Sequence, residues 1–543
     1  MPLQLLVLGL DGADWAILTP WLDAGHLPNL AGLRARGVWG PLRSTIRPES
    51  SIAWVTFATG VNAGRHGIYG FSGQKPDSYA TTLNLTPAIR RPAFWQTAAT
   101  MGKRMVVFNV PMTYPPEPLP GGAVVGGMLA PGLQSDFTSP AELRSQLLAA
   151  VPQYVLNVER TGLSLRQFIG ETMQAIAARG GAARWLLARD RWDAAVIVFT
   201  DTDRLHHYTI HLLEPRHPRY DPAEAAALRP ALLAAYQTLD REIGDLLALA
   251  GSDATVLVVS DHGFAPCTRR FYANTWLEQA GLLVRRPDAA AQPGLWRRLR
   301  ASPTLRRLKR SLPVARDWQR PLPPRGHLSG VDWSQTAVAF SPAGGLRFNI
   351  RGREPEGFLS PDGAERLAAE LIPALLDLVD PATGHHPIQA VHRRDDLYQG
   401  PYVELAPDLI LESVRSDADP MRNTAVAFGF APAGPPPGPF TSSGDLTGNH
   451  ALDGMLIAAG PGIQHGHIAG AQLLDLAPTL LHALALPVSR DLEGRVLSLW
   501  SEPRPIDWVD GDLGSTSPAS AATGFTPDEQ ATVEERLRAL GYL

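Results

Sequence analysis

Residues 194–207 read AAVIVFTDTDRLHH, and the reading of this stretch sets the fold class. Ala194 to Phe199 is apolar without a break, rich in branched side chains, and short. That pattern describes a strand covered on both faces, the usual state of a strand in a parallel sheet. The polar DTDRLHH that follows carries the start of a helix. Similar apolar runs stand at 5–10 (LLVLGL), 105–110 (MVVFNV), 255–260 (TVLVVS), 408–413 (DLILES) and 455–460 (MLIAAG). Helical patterns lie between them, over 139–150, 166–189, 222–250, 363–378 and 473–485. The alternation predicts an α/β chain with a doubly wound, mainly parallel sheet sandwiched by helices. In such sheets ligands bind at the carboxyl ends of the strands. The Asp and His residues of this chain cluster at those positions.

Composition agrees with a large folded protein. The chain has 543 residues, with 45% hydrophobic and 19% charged side chains, which supports a sizeable core and excludes global disorder. A formal net charge of −4 gives no reason to expect a nucleic-acid polymer as partner. Cys267 is the single cysteine, so neither an intrachain disulfide nor a thiolate-rich metal site can form. The run Leu3 to Leu10 has no basic flank and no cleavage site after it, and no apolar stretch reaches roughly 18 residues. The expected compartment is therefore the cytoplasm. The alternation breaks at a basic, proline-flanked segment. The expected organisation is a core in two parts, 1–275 and 332–502, interrupted by an insertion at 276–331 and followed by a tail at 503–543 with a short terminal helix.

Four places carry candidate metal ligands. The first strand ends in Gly9-Leu10-Asp11-Gly12, where an acid at a strand tip suits a cation, the alternative being an Asx-turn. After the strand at 194–200, Asp203 and His207 are spaced i, i+4, so a helix presents both on one face. Asp203 with His206 is the competing pair, and Asp201 reads as a helix cap. The strand at 255–260 runs into Asp261-His262-Gly263, two adjacent ligands where the chain turns. His450, in Gly448-Asn449-His450, precedes the strand at 455–460. All these donors are oxygen or nitrogen, a set that suits Zn2+ or Mn2+.

The nucleophile candidate lies in PESSIAWVTFATG, residues 48–60. Ser50 and Ser51 stand just before an expected helix, Ile52 to Thr59. A hydroxyl there feels the positive end of the helix dipole, which favours an alkoxide and an incoming phosphate. The alternative is plain N-terminal capping.

Together these segments resemble the alkaline phosphatase superfamily, and within it the type I phosphodiesterase/nucleotide pyrophosphatase branch with its bacterial phosphohydrolases and phosphomutases. The matching segments are GLDGAD, PESSIAWVTFATGVNAGRHGIYGF, NVPMTYPPEPLPG, DTDRLHH, VVSDHGF, GNHALDG and DLAPTLLHALALP. Each is weak alone, and their order is specific. The resemblance implies two divalent ions, most simply Zn2+, with Mn2+ as the alternative. Asp203, His207 and His450 would bind one ion, and Asp11, Ser50, Asp261 and His262 the other. It also points to Ser50 over Ser51, because the family's nucleophile stands nine residues before the Thr of a Thr-Gly pair, here Thr59-Gly60. Ser50 would attack phosphorus in line, and water would then release the phosphate. Where related nucleotide pyrophosphatases carry an asparagine after the His-Gly-Ile segment, this chain has Phe71. Ser72, Lys75 or backbone amides are left as oxyanion donors. The sulfatase signature is absent after Ser50.

The implied activity is metal-dependent hydrolysis of phosphate esters, phosphodiesters first, on a small phosphorylated substrate. The alternatives are a phosphomutase, which returns the phosphate to product, and a silent metal-binding module. Residues 296–312 set Trp296, Leu299, Leu305, Leu308 and Leu312 among arginines and Lys309. Such a segment suits either a solvated cap or peripheral contact with an anionic membrane.

Overall fold

The computed structural model describes residues 3–75, 77–286, 328, 330–415, 419–432, 438–511, 513 and 525–539. The amphipathic segment at 296–312 lies outside the described residues.

A single large, mostly parallel sheet organises the chain. Across it the strands run Gly466–His467, Val38–Arg43, Asp453–Ala459, Thr255–Val259, Leu5–Leu10, Ala194–Phe199, Met105–Phe108, Ala123–Val125 and Thr138–Ser139. Leu5–Leu10 is parallel to both neighbours, with Val7 opposite Val196 on one side and Leu257 on the other. Every residue of this strand is buried, and strand alternation splits them between two cores. Leu6, Leu8 and Leu10 face the long helices Leu165–Ala188 and Pro222–Ala250. Leu5 and Val7 face the helices Ser50–Thr59, Phe94–Thr100 and Leu476–Ala483. Unbroken apolar runs are the sequence signature of this double coverage. The α/β class and the sandwiched sheet stand as the sequence predicts.

Two of the strands read from the sequence depart from the parallel expectation. Asp453–Ala459 runs antiparallel to both Thr255–Val259 and Val38–Arg43. Leu409–Ser413, read as a strand of the main sheet, instead joins Val338–Ser341, Gly345–Phe348 and Ile388–Arg393 in a sheet of its own. That smaller sheet covers a third core with Phe271, Leu277, Leu371 and Leu375. An apolar strand buried in either sheet has the same pattern, so the sequence does not distinguish them. Helix starts shift as well. The helix expected from 139 begins at Leu143, because Thr138–Ser139 pairs with Ala123–Val125. The helix expected from Ile52 begins at Ser50. Among the described residues no helix is long and apolar enough to cross a membrane.

Candidate active site

The candidate ligands meet at one edge of the main sheet. Asp11 follows the strand Leu5–Leu10, Asp203 lies in the helix that follows Ala194–Phe199, and Asp261 and His262 follow Thr255–Val259. These are carboxyl ends of parallel strands. His450 precedes its strand instead of following it. Since that strand is antiparallel, its amino end lies at the same edge. The short strand Gly448–Ala451 pairs with Gly263–Pro266, placing Phe264 opposite His450. His450 thereby stacks on His262 with ring centroids 3.8 Å apart.

Two groups of donors result. In the first, His450 Nε2 lies 3.2 Å from His207 Nε2 and 3.2 Å from Asp203 Oδ1, and His207 Nε2 lies 3.4 Å from the same oxygen. In the second, His262 Nε2 lies 3.7 Å from Asp11 Oδ1 and 3.3 Å from Asp261 Oδ2. Asp203 belongs to both groups: one atom each of Asp203, His207 and His450 falls within a 4.8 Å span, and so does one each of Asp11, Asp203 and His262. Ser50 Oγ is 3.3 Å from Asp11 Oδ1 and 3.2 Å from His262 Nε2. All seven predicted residues are buried, and the fold brings them together.

The donor chemistry fits cations. Each of the three imidazoles turns Nδ1 to a backbone carbonyl: His207 to Gly448 O at 3.3 Å, His262 to Gly263 O at 3.1 Å, His450 to Pro48 O at 2.7 Å. A carbonyl only accepts, so Nδ1 holds the proton in the neutral ring and Nε2 presents a lone pair. Two such lone pairs and a carboxylate oxygen converge in the first group. Electron pairs aimed at one another from this range repel unless something positive stands among them. Asp261 Oδ2, buried, accepts no hydrogen bond.

Electrostatics point the same way. Burial first, then the nearby Asp261 and Asp203, push the Asp11 carboxyl well above the usual range. Burial pushes Asp261 up to about 7, with Asp203 adding to it and the Gly12 amide opposing. Burial and the neighbouring His262 push His450 down to about 3, and burial also lowers His262. Asp203 is the exception. Burial opposes its charge, but positive charge at the His207 and His450 rings that face it, theirs or that of an ion bound to them, holds it well below the carboxylate range. The neutral imidazoles are the form that binds a metal, and divalent ions would supply the positive charge that the crowded carboxylates of Asp11, Asp203 and Asp261 call for.

Neighbouring candidates fall outside the cluster. His206 faces away from His207, with Nδ1 2.9 Å from Gly12 O and Nε2 against the Tyr236 hydroxyl. Asp201 does not cap its helix; it occupies the first turn and forms a fully buried ion pair with Arg179. Ser51 donates to Glu49 Oε1 at 2.7 Å, so of the two serines Ser50 is the one whose hydroxyl meets Asp11 and His262. Phe71 packs in a core with Val55 and Ile68, Ser72 is buried, and Lys75 is exposed. Sequence reasoning missed Trp54. One turn after Ser50, its indole Nε1 donates to Asp11 Oδ2 at 3.0 Å. The i, i+4 spacing from Ser50 was the available signal.

A mostly parallel sheet sandwiched by helices is the architecture of alkaline phosphatase-like structures. The profile of the family described as type I phosphodiesterase / nucleotide pyrophosphatase matches residues 5–424, and the chain belongs to that family. Among solved structures, phosphonoacetate hydrolase from Sinorhizobium meliloti 1021 in complex with phosphonoformate is 15% identical with a TM-score of 0.52. The match covers 89% of this chain and 96% of that one. The same enzyme in complex with phosphonoacetate gives a TM-score of 0.53 at equal identity and coverage. Human ectonucleotide pyrophosphatase / phosphodiesterase 5 is 12% identical over 92% of this chain and 100% of its own, with a TM-score of 0.48. No protein with a curated description matches the sequence.

Proposed function

We propose that this enzyme hydrolyses phosphate esters, phosphodiesters above all, with Ser50 as nucleophile in a centre for two divalent ions, Zn2+ in preference to Mn2+. Asp203, His207 and His450 would hold one ion, and Asp11, Asp261 and His262 the other beside Ser50. The observation that carries the reading is the Ser50 hydroxyl within hydrogen-bond range of both Asp11 and His262, next to the converging His207, His450 and Asp203. Bound there, the ions supply Lewis-acid stabilisation of phosphoryl oxygens and a lowered hydroxyl pKa.

The chain's own residues do the rest. Ser50 opens a ten-residue helix whose residues are all buried, so the positive end of its dipole lies at the reacting oxygen and favours an anionic group there. Trp54, on the same helix, fixes the Asp11 carboxylate by its indole N–H. The Nδ1–carbonyl contacts hold the three imidazoles in one orientation, so the donors need little reorganisation during reaction. Ser50 Oγ bonds to phosphorus as the ester oxygen leaves, and water then displaces the serine oxygen.

Hydrolysis of bis-(p-nitrophenyl) phosphate against p-nitrophenyl phosphate, by protein reloaded with Zn2+ or Mn2+, tests this. The expected result is a preference for the diester that Ser50→Ala abolishes while metal content stays the same. Full activity in Ser50→Ala would remove the nucleophile assignment, and a monoester preference would replace the diesterase reading.

A further inference from the structure

Beside His207 and His450 opens a cavity of about 210 Å³ whose walls also include Arg47, Arg270, Arg415 and Arg538. Three of these guanidiniums are committed. Arg47 bonds Glu49 and the carbonyl of Ala343. Arg415 donates to the carbonyls of His450 and Thr424 at 2.9 and 2.8 Å. Arg538 pairs with Glu534 at 2.8 Å. The carboxylates in the wall are occupied too: Glu49 receives Arg47 and Ser51, and Glu412 receives His392 at 2.8 Å. The Arg270 guanidinium has no hydrogen-bond or ion-pair partner among the described residues, and the residue is partly buried.

Its placement follows from strand alternation. On the strand Arg269–Tyr272, Phe271 enters the third core and Arg269 holds Asp380 with two hydrogen bonds. Arg270 and Tyr272 point to the other face, and both line the cavity. A partly desolvated guanidinium with no carboxylate in ion-pair range among the described residues is a receptor for an anion, and its planar fork matches a carboxylate or phosphate.

We propose that Arg270 receives a second anionic group of the substrate, a carboxylate or a phosphate, beyond the phosphate that reacts at Ser50. This rests on the proposed hydrolysis at Ser50 and names the charge class of what is hydrolysed. Neutral esters then lack a partner for Arg270.

The test uses metal-loaded protein and three diesters of 4-nitrophenyl phosphate, whose second arm is phenyl, 4-carboxyphenyl or 4-phosphonophenyl, with both phenols separated by chromatography. The expected result is an anionic arm favoured over phenyl by about ten-fold or more in kcat/KM, expressed in KM, and a ratio that falls toward one in Arg270→Ala and recovers partly in Arg270→Lys. Preference for one anionic arm alone identifies carboxylate or phosphate as the group received. Calorimetric binding of methylenebisphosphonate against methylphosphonate gives a readout without turnover. If no diester is cleaved, yet bisphosphonate binds more tightly in an Arg270-dependent way, the anion site stands and the hydrolase reading falls. The proposal is overturned if wild type shows no anionic preference in rate or binding, or if Arg270→Ala lowers all three diesters equally.

Discussion

Gly9 shows how a single residue serves the site. A Cβ there would stand 2.5 Å from the Trp54 ring, so only glycine lets the indole lie across the first strand and reach Asp11. Replacing Trp54 by Phe keeps most of the ring and removes the N–H. Outer partners of metal ligands typically contribute ten- to hundred-fold. Trp54→Phe is therefore expected to lower kcat by about ten-fold with circular dichroism unchanged, and an unaltered kcat would reduce the indole to packing. The choice between the two serines also belongs to this scale. Both suit a helix start, and residue type alone leaves the pair open. Their side chains diverge only in the folded chain, where Glu49 takes Ser51 and Asp11 with His262 takes Ser50.

The helix Asp201–Leu213 carries polar side chains with almost no exposure. Helical spacing explains the division of labour: Asp203 and His207 share a face, and His206, some 100° away, meets Tyr236 instead. Asp201 had the residue type of a cap, but the strand before it ends so deep in the protein that its carboxylate meets Arg179, and both side chains are 0% exposed. Removing one partner of a buried pair leaves an uncompensated charge and costs about 3–5 kcal/mol. Asp201→Ala is expected to lose stability of that order in denaturant unfolding, while the Asp201→Ala/Arg179→Met double variant recovers much of it. Equal losses in both variants would show that the stranded Arg179 charge is not what costs the stability.

At the scale of the whole molecule, the active-site edge gathers residues far apart in the chain, such as His207 and His450, which are 243 positions apart. If ions occupy this edge, they bind the native arrangement and not the unfolded chain, and their removal must destabilise. Dialysis against a chelator is expected to lower the melting temperature and abolish ester hydrolysis, with both restored by Zn2+ or Mn2+. Melting indifferent to chelation would count against ions at this edge.

The sequence alone determined the local features. Apolar runs marked the buried strands, the i, i+4 spacing offered Asp203 with His207 beside the competing His206, and adjacency joined Asp261 to His262. These depend on periodicities of two and 3.6 residues, which are properties of a few consecutive positions. Tertiary structure decided the rest. A strand buried on both faces has the same composition whichever way it runs, so the pattern of 455–460 did not reveal that Asp453–Ala459 is antiparallel, which is what carries His450 to the edge. For the same reason Leu409–Ser413 could not be assigned to its own sheet. The indole of Trp54 on Asp11 and the guanidinium of Arg270, unpaired among the described residues, were likewise invisible in the chain, because each depends on which distant surfaces the packed sheets bring face to face.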